Sequence, residues 1–155
     1  MTIELIKENE IQETCDMIAR ACKDSAFAEF YPQSSIVAVL EDIDYDKIKV
    51  KAEYGHFYVV KENSKIVGCG CIGAYWDSLT ESWINTIFVE PSHQHKGIGK
   101  KIIEHLESDE YAKRANRIEI HSAISAIPFY RKLGYEHKNG DLSYNDGTFD
   151  LEKFI

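Results

Sequence analysis

A chain of 155 residues can form one domain with a sizeable core, and its 44% apolar and 12% aromatic content is enough to fill one. The formal charge of −8, with 5 Lys/Arg against 11 Asp/Glu in residues 1–50, argues against nucleic-acid binding. No apolar run reaches the ~18–20 residues of a membrane span, and Met1 to Lys7 lacks the ordered segments of a signal peptide, so a cytoplasmic protein without a membrane partner is expected.

Thr2 to Ile6 alternates as a short strand, and Ile11, Cys15, Ile18, Ala19 and Cys22 recur at helical spacing. Pro32 breaks the next stretch, Ser34 or Ser35 can cap a short helix through Leu40, and Asp44 can cap another that carries Ile48 to Ala52. Aromatic and β-branched residues then flank the polar turn Glu62-Asn63-Ser64-Lys65, which predicts a hairpin of His56–Lys61 with Ile66–Trp76. Trp83–Val89 adds a third antiparallel strand, and Gly68, Gly70 and Gly73 are expected to loosen the middle one. Cys15, Cys22, Cys69 and Cys71 lack the spacing of a disulfide framework or a zinc site, so reduced thiols packed in the core are expected.

Next comes Gln94-His95-Lys96-Gly97-Ile98-Gly99-Lys100, followed by a helix whose apolar stripe is Ile98, Ile102, Ile103 and Leu106. From His93 to Lys101 there are three lysines and two histidines and no acid. Glycines at a helix start let a ligand approach the backbone, and the first-turn N–H groups are ready donors to phosphate oxygens, so this loop reads as an anion cradle. Arg117–His121 is the next strand, and strand, helix, strand implies a parallel crossover. Ser125 can cap a last helix with Pro128 in its first turn and Gly134 at its end. Tyr135–His137 and Thr148–Phe154 form a closing hairpin, with turn signals at Asn139-Gly140 and Asp146-Gly147.

Two marks, Gln94-x-x-Gly97-x-Gly99 and Ala126-Ile127-Pro128-Phe129-Tyr130-Arg131-Lys132-Leu133-Gly134-Tyr135, stand in this order of elements. In both the chain resembles the GNAT superfamily of acetyl-CoA-dependent N-acetyltransferases, over nearly its full length. The resemblance implies a single α/β domain over residues 1–155 with a central mixed, mostly antiparallel sheet, splayed between strands 4 and 5 and flanked by helices. It also implies acetyl-CoA as co-substrate, with the backbone of Ile87, Phe88 and Val89 pairing with the pantetheine arm. The stretch Gln94, His95, Lys96, Gly97, Ile98, Gly99 and Lys100 would hold the pyrophosphate.

The reaction so implied passes an acetyl group to a primary amine of a small molecule or peptide by direct attack in a ternary complex. Tyr130 matches the family's general acid; a thiolate of pKa ~8.5 and a phenol of pKa ~10 can share a proton. Trp83 stands where many relatives carry a glutamate, so the base falls to Glu81, on the same strand face, to His121 at the end of the next strand, or to a water chain. Ala123 replaces an asparagine that contacts the cofactor in many relatives. Glu41, Asp42, Asp44 and Asp46, with Tyr31, Tyr45, Tyr75 and Trp76, would attract and wall a cationic acceptor. No metal is assigned, because His93-x-His95 has no carboxylate or cysteine partners. A homodimer is left open, and the alternative is a non-catalytic acyl-CoA-binding module of the same fold.

Overall fold

The computed structural model describes residues 1–24, 37, 40, 41, 43–145 and 147–155. The Pro32 break, the Ser34 or Ser35 cap, Tyr31, Asp42 and Asp146 lie outside them. The strands are β1 (Thr2–Leu5), β2 (Gly55–Glu62), β3 (Lys65–Ala74), β4 (Glu81–Val89), β5 (Arg117–Ser122), β6 (Glu136–His137), β7 (Tyr144–Asn145) and β8 (Thr148–Phe154). The helices are α1 (Ile11–Lys23), α2 (Tyr45–Tyr54), α3 (Ile98–Glu107), α4 (Glu110–Lys113) and α5 (Ile127–Lys132). No described helix is long and apolar enough to cross a membrane.

The strands form one eight-stranded sheet in the order β1-β2-β3-β4-β5-β8-β6, with β7 beside β8. Asn63 and Ser64, both at positive φ, close the β2–β3 hairpin tightly, and β4 continues the meander. Among the described strands only β4 and β5 run parallel, because α3 and α4 carry the chain across between them. Their pairing covers Glu81↔Arg117 to Ile84↔Ile120 and then stops, although β4 continues to Val89. The sheet is therefore mixed, mostly antiparallel, and opens between its fourth and fifth strands.

Each sheet face is buried by helices whose apolar spacing fits it. On one face, α3 sets Ile98, Ile102, Ile103 and Leu106 against Val60, Ile72, Ile84, Ile118, Ile120 and Leu151. On the other, α1 and α2 bring Ile11, Met17, Ile18, Cys22 and Ile48 onto Phe57, Val59, Ile66, Cys69 and Cys71. All four cysteines are free thiols, and burial pushes the Cys71 thiol up to about 12. Asp44 caps α2 by accepting from the Lys47 N–H at 2.9 Å.

Two local expectations change. Ser125 does not cap α5: a tight turn over Ile124–Ala126 leads into the helix, and Ala126 stands at its start. A cap at Ser125 would have Pro128 three residues on, where there is no N–H to donate. Gly68 and Gly70 also do more than loosen β3, since they let α3 lie close to it. A Cβ at Gly70 would stand 2.6 Å from Ile102 Cγ2 and 2.7 Å from Ile87 Cδ1, whereas one at Gly73 meets nothing nearer than 3.6 Å.

Overpacking of this kind destabilises by about 1–3 kcal/mol. Gly70→Ala is therefore expected to lower the thermal midpoint by about 2–4 °C per kcal/mol, while Gly73→Ala leaves it nearly unchanged. Scanning calorimetry of the two variants tests this.

Candidate active site

Past Ile84, β4 bulges. Between Cys69↔Phe88 and Cys71↔Asn85, β3 advances two residues and β4 three. Thr86 absorbs the extra residue at φ +57°, a rare conformation for a β-branched side chain. The following residues, Ile87, Phe88 and Val89, keep β3 on one side and have no strand on the other among the described residues. Gln94 Nε2 donates to the Val89 carbonyl at 3.1 Å and ties the loop to the strand end. Arg20 grips Glu90 through both carboxylate oxygens, fastening α1 to the same corner.

α3 begins at this corner. Gly97 holds φ +81° at its start and no side chain caps it, so its first-turn N–H groups have no acceptor among the described residues. His95, Lys96, Gly97 and Lys100 are exposed. Lys96 Nζ turns back to the Ser92 carbonyl at 3.0 Å, and Lys100 lies 3.6 Å from Glu104, so these charges sit beside the helix start. A Cβ at Gly99 would come within 3.3 Å of Phe129 Cζ; a glycine there lets α5 lean on the first turn of α3.

That contact carries Tyr130 to the same region. It is 7% exposed, its ring meets Phe129 and Tyr135 edge-on at 5.1 and 6.1 Å, and its hydroxyl makes no hydrogen bond among the described residues. Burial raises its pKa above that of an ordinary phenol, so the O–H stays protonated near neutral pH.

On the face opposite α3, alternation places Glu81, Trp83 and Asn85 of β4 beside Arg117, Glu119 and His121 of β5, with Asp150 and Glu152 of β8 beyond. Arg117 bonds Glu81 at 2.8 Å, Glu119 at 2.6 Å and Glu152 at 3.2 Å. Lys138 reaches Glu119 at 2.9 Å, and Tyr75 lies under both Arg117 and Lys138. Burial raises the Glu119 carboxyl, but hydrogen bonds from His121, Lys138 and Arg117 outweigh it and hold the group at about 2.

His121 Nε2 lies 3.0 Å from Glu119 Oε1 and 3.8 Å from Asp150. Facing an ionised carboxylate, Nε2 carries the proton in the neutral ring, which leaves the Nδ1 lone pair for another partner. Trp83 lies beside the imidazole, ring centroids 5.6 Å apart, and its Nε1 is sealed without a hydrogen-bond partner among the described residues. Ligand atoms of Glu119, His121 and Asp150 come within 4.8 Å of one another, yet the Glu119 oxygens already receive Arg117, Lys138 and His121. A cavity of about 230 Å³ is lined by Lys138, Asn139, Asp141, Asn145 and Asp150.

The two base positions named from sequence, one carboxylate and one histidine, thus differ in circumstance: Glu81 is engaged by Arg117, while His121 Nδ1 has no hydrogen-bond partner among the described residues. Of the acidic and aromatic residues expected to wall an acceptor, Tyr75 stands in this network, and Tyr31 and Asp42 lie outside the described residues. Asp44 is spent on its helix cap, Tyr45 packs in the α1–α2 core, and Trp76 is 87% exposed. Glu119, Asp150, Glu152, Lys138 and Lys51 were not anticipated. The signal for Glu119 was present in Arg117-Ile118-Glu119-Ile120-His121, where charges alternate along a strand whose apolar residues face a core.

Folded Glu119 titrates far below a free glutamate, so its stabilising effect is complete above pH ~4.5 and lost as pH falls toward ~2. The wild type should therefore lose about 3 kcal/mol more than Glu119→Gln over that interval in urea unfolding. Equal losses would count against the network.

Comparison with known proteins agrees with this fold. The family described as acetyltransferase (GNAT) domain matches residues 53–137. An uncharacterized N-acetyltransferase of Methanocaldococcus jannaschii is 34% identical over 103 residues, which cover 61% of this chain and 45% of that protein. The chain thus spans about half the length of that relative. The spermine/spermidine N(1)-acetyltransferase of Bacillus subtilis is 33% identical over 67 residues, 41% of this chain and 43% of its own. In fold, the chain is similar to the PaiA N-acetyltransferase of Thermoplasma acidophilum, crystallised in complex with coenzyme A, with a TM-score of 0.82, 17% identity and complete coverage of both chains. With more than half of its length matched by that family, the chain belongs to the GNAT acetyltransferase family.

Proposed function

We propose that this protein is an acetyl-CoA-dependent N-acetyltransferase that acetylates a primary amine of a small molecule or peptide by direct attack in a ternary complex. The observation that carries this reading is the opening between β4 and β5, where an unpaired strand edge meets the uncapped start of α3. An acyl-CoA has both complementary parts, an amide-bearing arm that can pair like a strand and a pyrophosphate suited to helix N–H groups. Ile87, Phe88 and Val89 take the arm, and the Gln94–Lys100 backbone takes the pyrophosphate.

Of the two candidate bases, we assign His121. Its Nδ1 lone pair accepts the proton from the attacking nitrogen, Glu119 and Asp150 orient the ring, and Glu81 serves instead to place Arg117. The amine lone pair forms the new C–N bond, the C–S bond breaks, and Tyr130 offers its O–H to the departing thiolate. Two carboxylates, Asp141 and Asp150, line the cavity next to His121 and favour a cationic acceptor. The relationship to a protein named as a spermine/spermidine acetyltransferase supports the same class.

An acetyl-CoA turnover screen over polyamines, aminoglycosides, amino acids and peptides with free amines should show amine-dependent release of coenzyme A. Reaction with hydroxyl or anionic acceptors alone, or none beyond hydrolysis, defeats the proposal; the latter outcome supports a binding module. His121→Gln is expected to lower kcat by roughly 10²–10⁴-fold and Glu81→Gln by much less, with acetyl-CoA affinity unchanged in both. Tyr130→Phe should likewise reduce turnover and spare affinity, whereas Gly97→Asp should abolish acetyl-CoA binding in calorimetry while the fold persists.

A further inference from the structure

Lys51 lies in the last turn of α2, on the face that also carries Trp83 and His121. Its ammonium donates to Asn85 Oδ1 at 3.0 Å and Thr86 Oγ1 at 2.8 Å, and Thr86 Oγ1 in turn donates to Asn85 Oδ1 at 2.8 Å. The triangle closes on the residue whose backbone is forced into the left-handed region. From β3, on the same sheet face, Cys69 Sγ reaches the Thr86 carbonyl at 3.4 Å, and Cys71 Sγ lies 3.9 Å from the Lys51 carbonyl. A β-branched residue holds such a conformation only where its surroundings over-determine it. Releasing it would let β4 straighten and slip in register, turning the backbone groups of Ile87 to Val89 away from the opening.

We propose that Lys51 is a positioning residue, a clamp from α2 that holds the β4 bulge at Thr86 and so aims the strand edge that receives the acyl-CoA arm. The proposal rests on the acyl-CoA reading above, and it places the control of donor geometry on a helix of the opposite face. It accounts for the conjunction of a strained threonine with a lysine bonded to its side chain, which neither the cradle nor the acid and base require.

The test is a double-mutant cycle with Lys51→Met and Thr86→Gly, read by calorimetry with coenzyme A and by hydrogen exchange of the Ile87 and Phe88 amides. Lys51→Met is expected to weaken coenzyme A binding roughly tenfold and to speed exchange at both amides. Lys51→Arg should recover part of the affinity. Glycine adopts positive φ without strain, so the penalty of Lys51→Met should shrink to about twofold or less when position 86 is glycine. Unchanged binding and exchange in Lys51→Met overturn the proposal, as does an equal loss with threonine or glycine at position 86, which would leave Lys51 acting through its charge alone. Both readouts omit the acceptor. Wild type that binds coenzyme A but acetylates no amine therefore defeats the proposed reaction and leaves the clamp standing, and wild type that binds no coenzyme A defeats both.

Discussion

The hydrogen bonds between β4 and β5 end at Ile84 and Ile120 while β4 runs on for five more residues, and the rest of the site is arranged around that termination. Inside a sheet, a strand edge without a neighbour leaves peptide donors and acceptors facing an opening, a state that folded chains rarely tolerate except toward water or a ligand. Here the edge is reinforced at both ends. Four residue pairs hold its start, and its end is fastened by Gln94 to the Val89 carbonyl and by Arg20 to Glu90. The result is a rigid slot beside a helix start, a shape suited to a long, amide-bearing anionic ligand.

The two faces of the sheet divide the work. The α3 face is apolar and close-packed, and Gly70 lets the helix approach far enough that its first turn stands at the slot. The opposite face carries an apolar core over β2 and β3 and holds the charge over β4, β5 and β8. Burying Glu119 between three cationic or hydrogen-bonding partners fixes its ionised state, and that fixed charge selects the tautomer of His121. Beside Trp83, the neighbouring strand thus presents a histidine oriented by a carboxylate deeper in the sheet.

How much of this could be read beforehand differs by element. The β2–β3 hairpin, α1, α3 and the glycine loop were legible because each rests on local causes: alternation, a 3.6-residue stripe, or a glycine pair before a helix. The start of α5 was misplaced by a residue, since a missing proline N–H outweighs an available serine cap. The middle glycines of β3 looked like weaknesses because their reason, the nearness of Ile102, lies about thirty residues away. The charged cluster around His121 was least legible, as Lys138, Asp150 and Glu119 come from three strands or their flanks and only the sheet order makes them neighbours.

By itself, the sequence determined the order of elements, the parallel crossover and the phosphate-ready loop, and through them the family, because these depend on short-range patterns of apolarity, glycine and charge. Tertiary structure alone decided which carboxylate is spoken for and which imidazole nitrogen is left over. It also decided that Thr86 is held in a strained bulge from another helix. Those outcomes depend on distances between groups far apart in the chain, where a partner 3 Å away changes the protonation or direction of a side chain that its own neighbours in sequence leave undetermined.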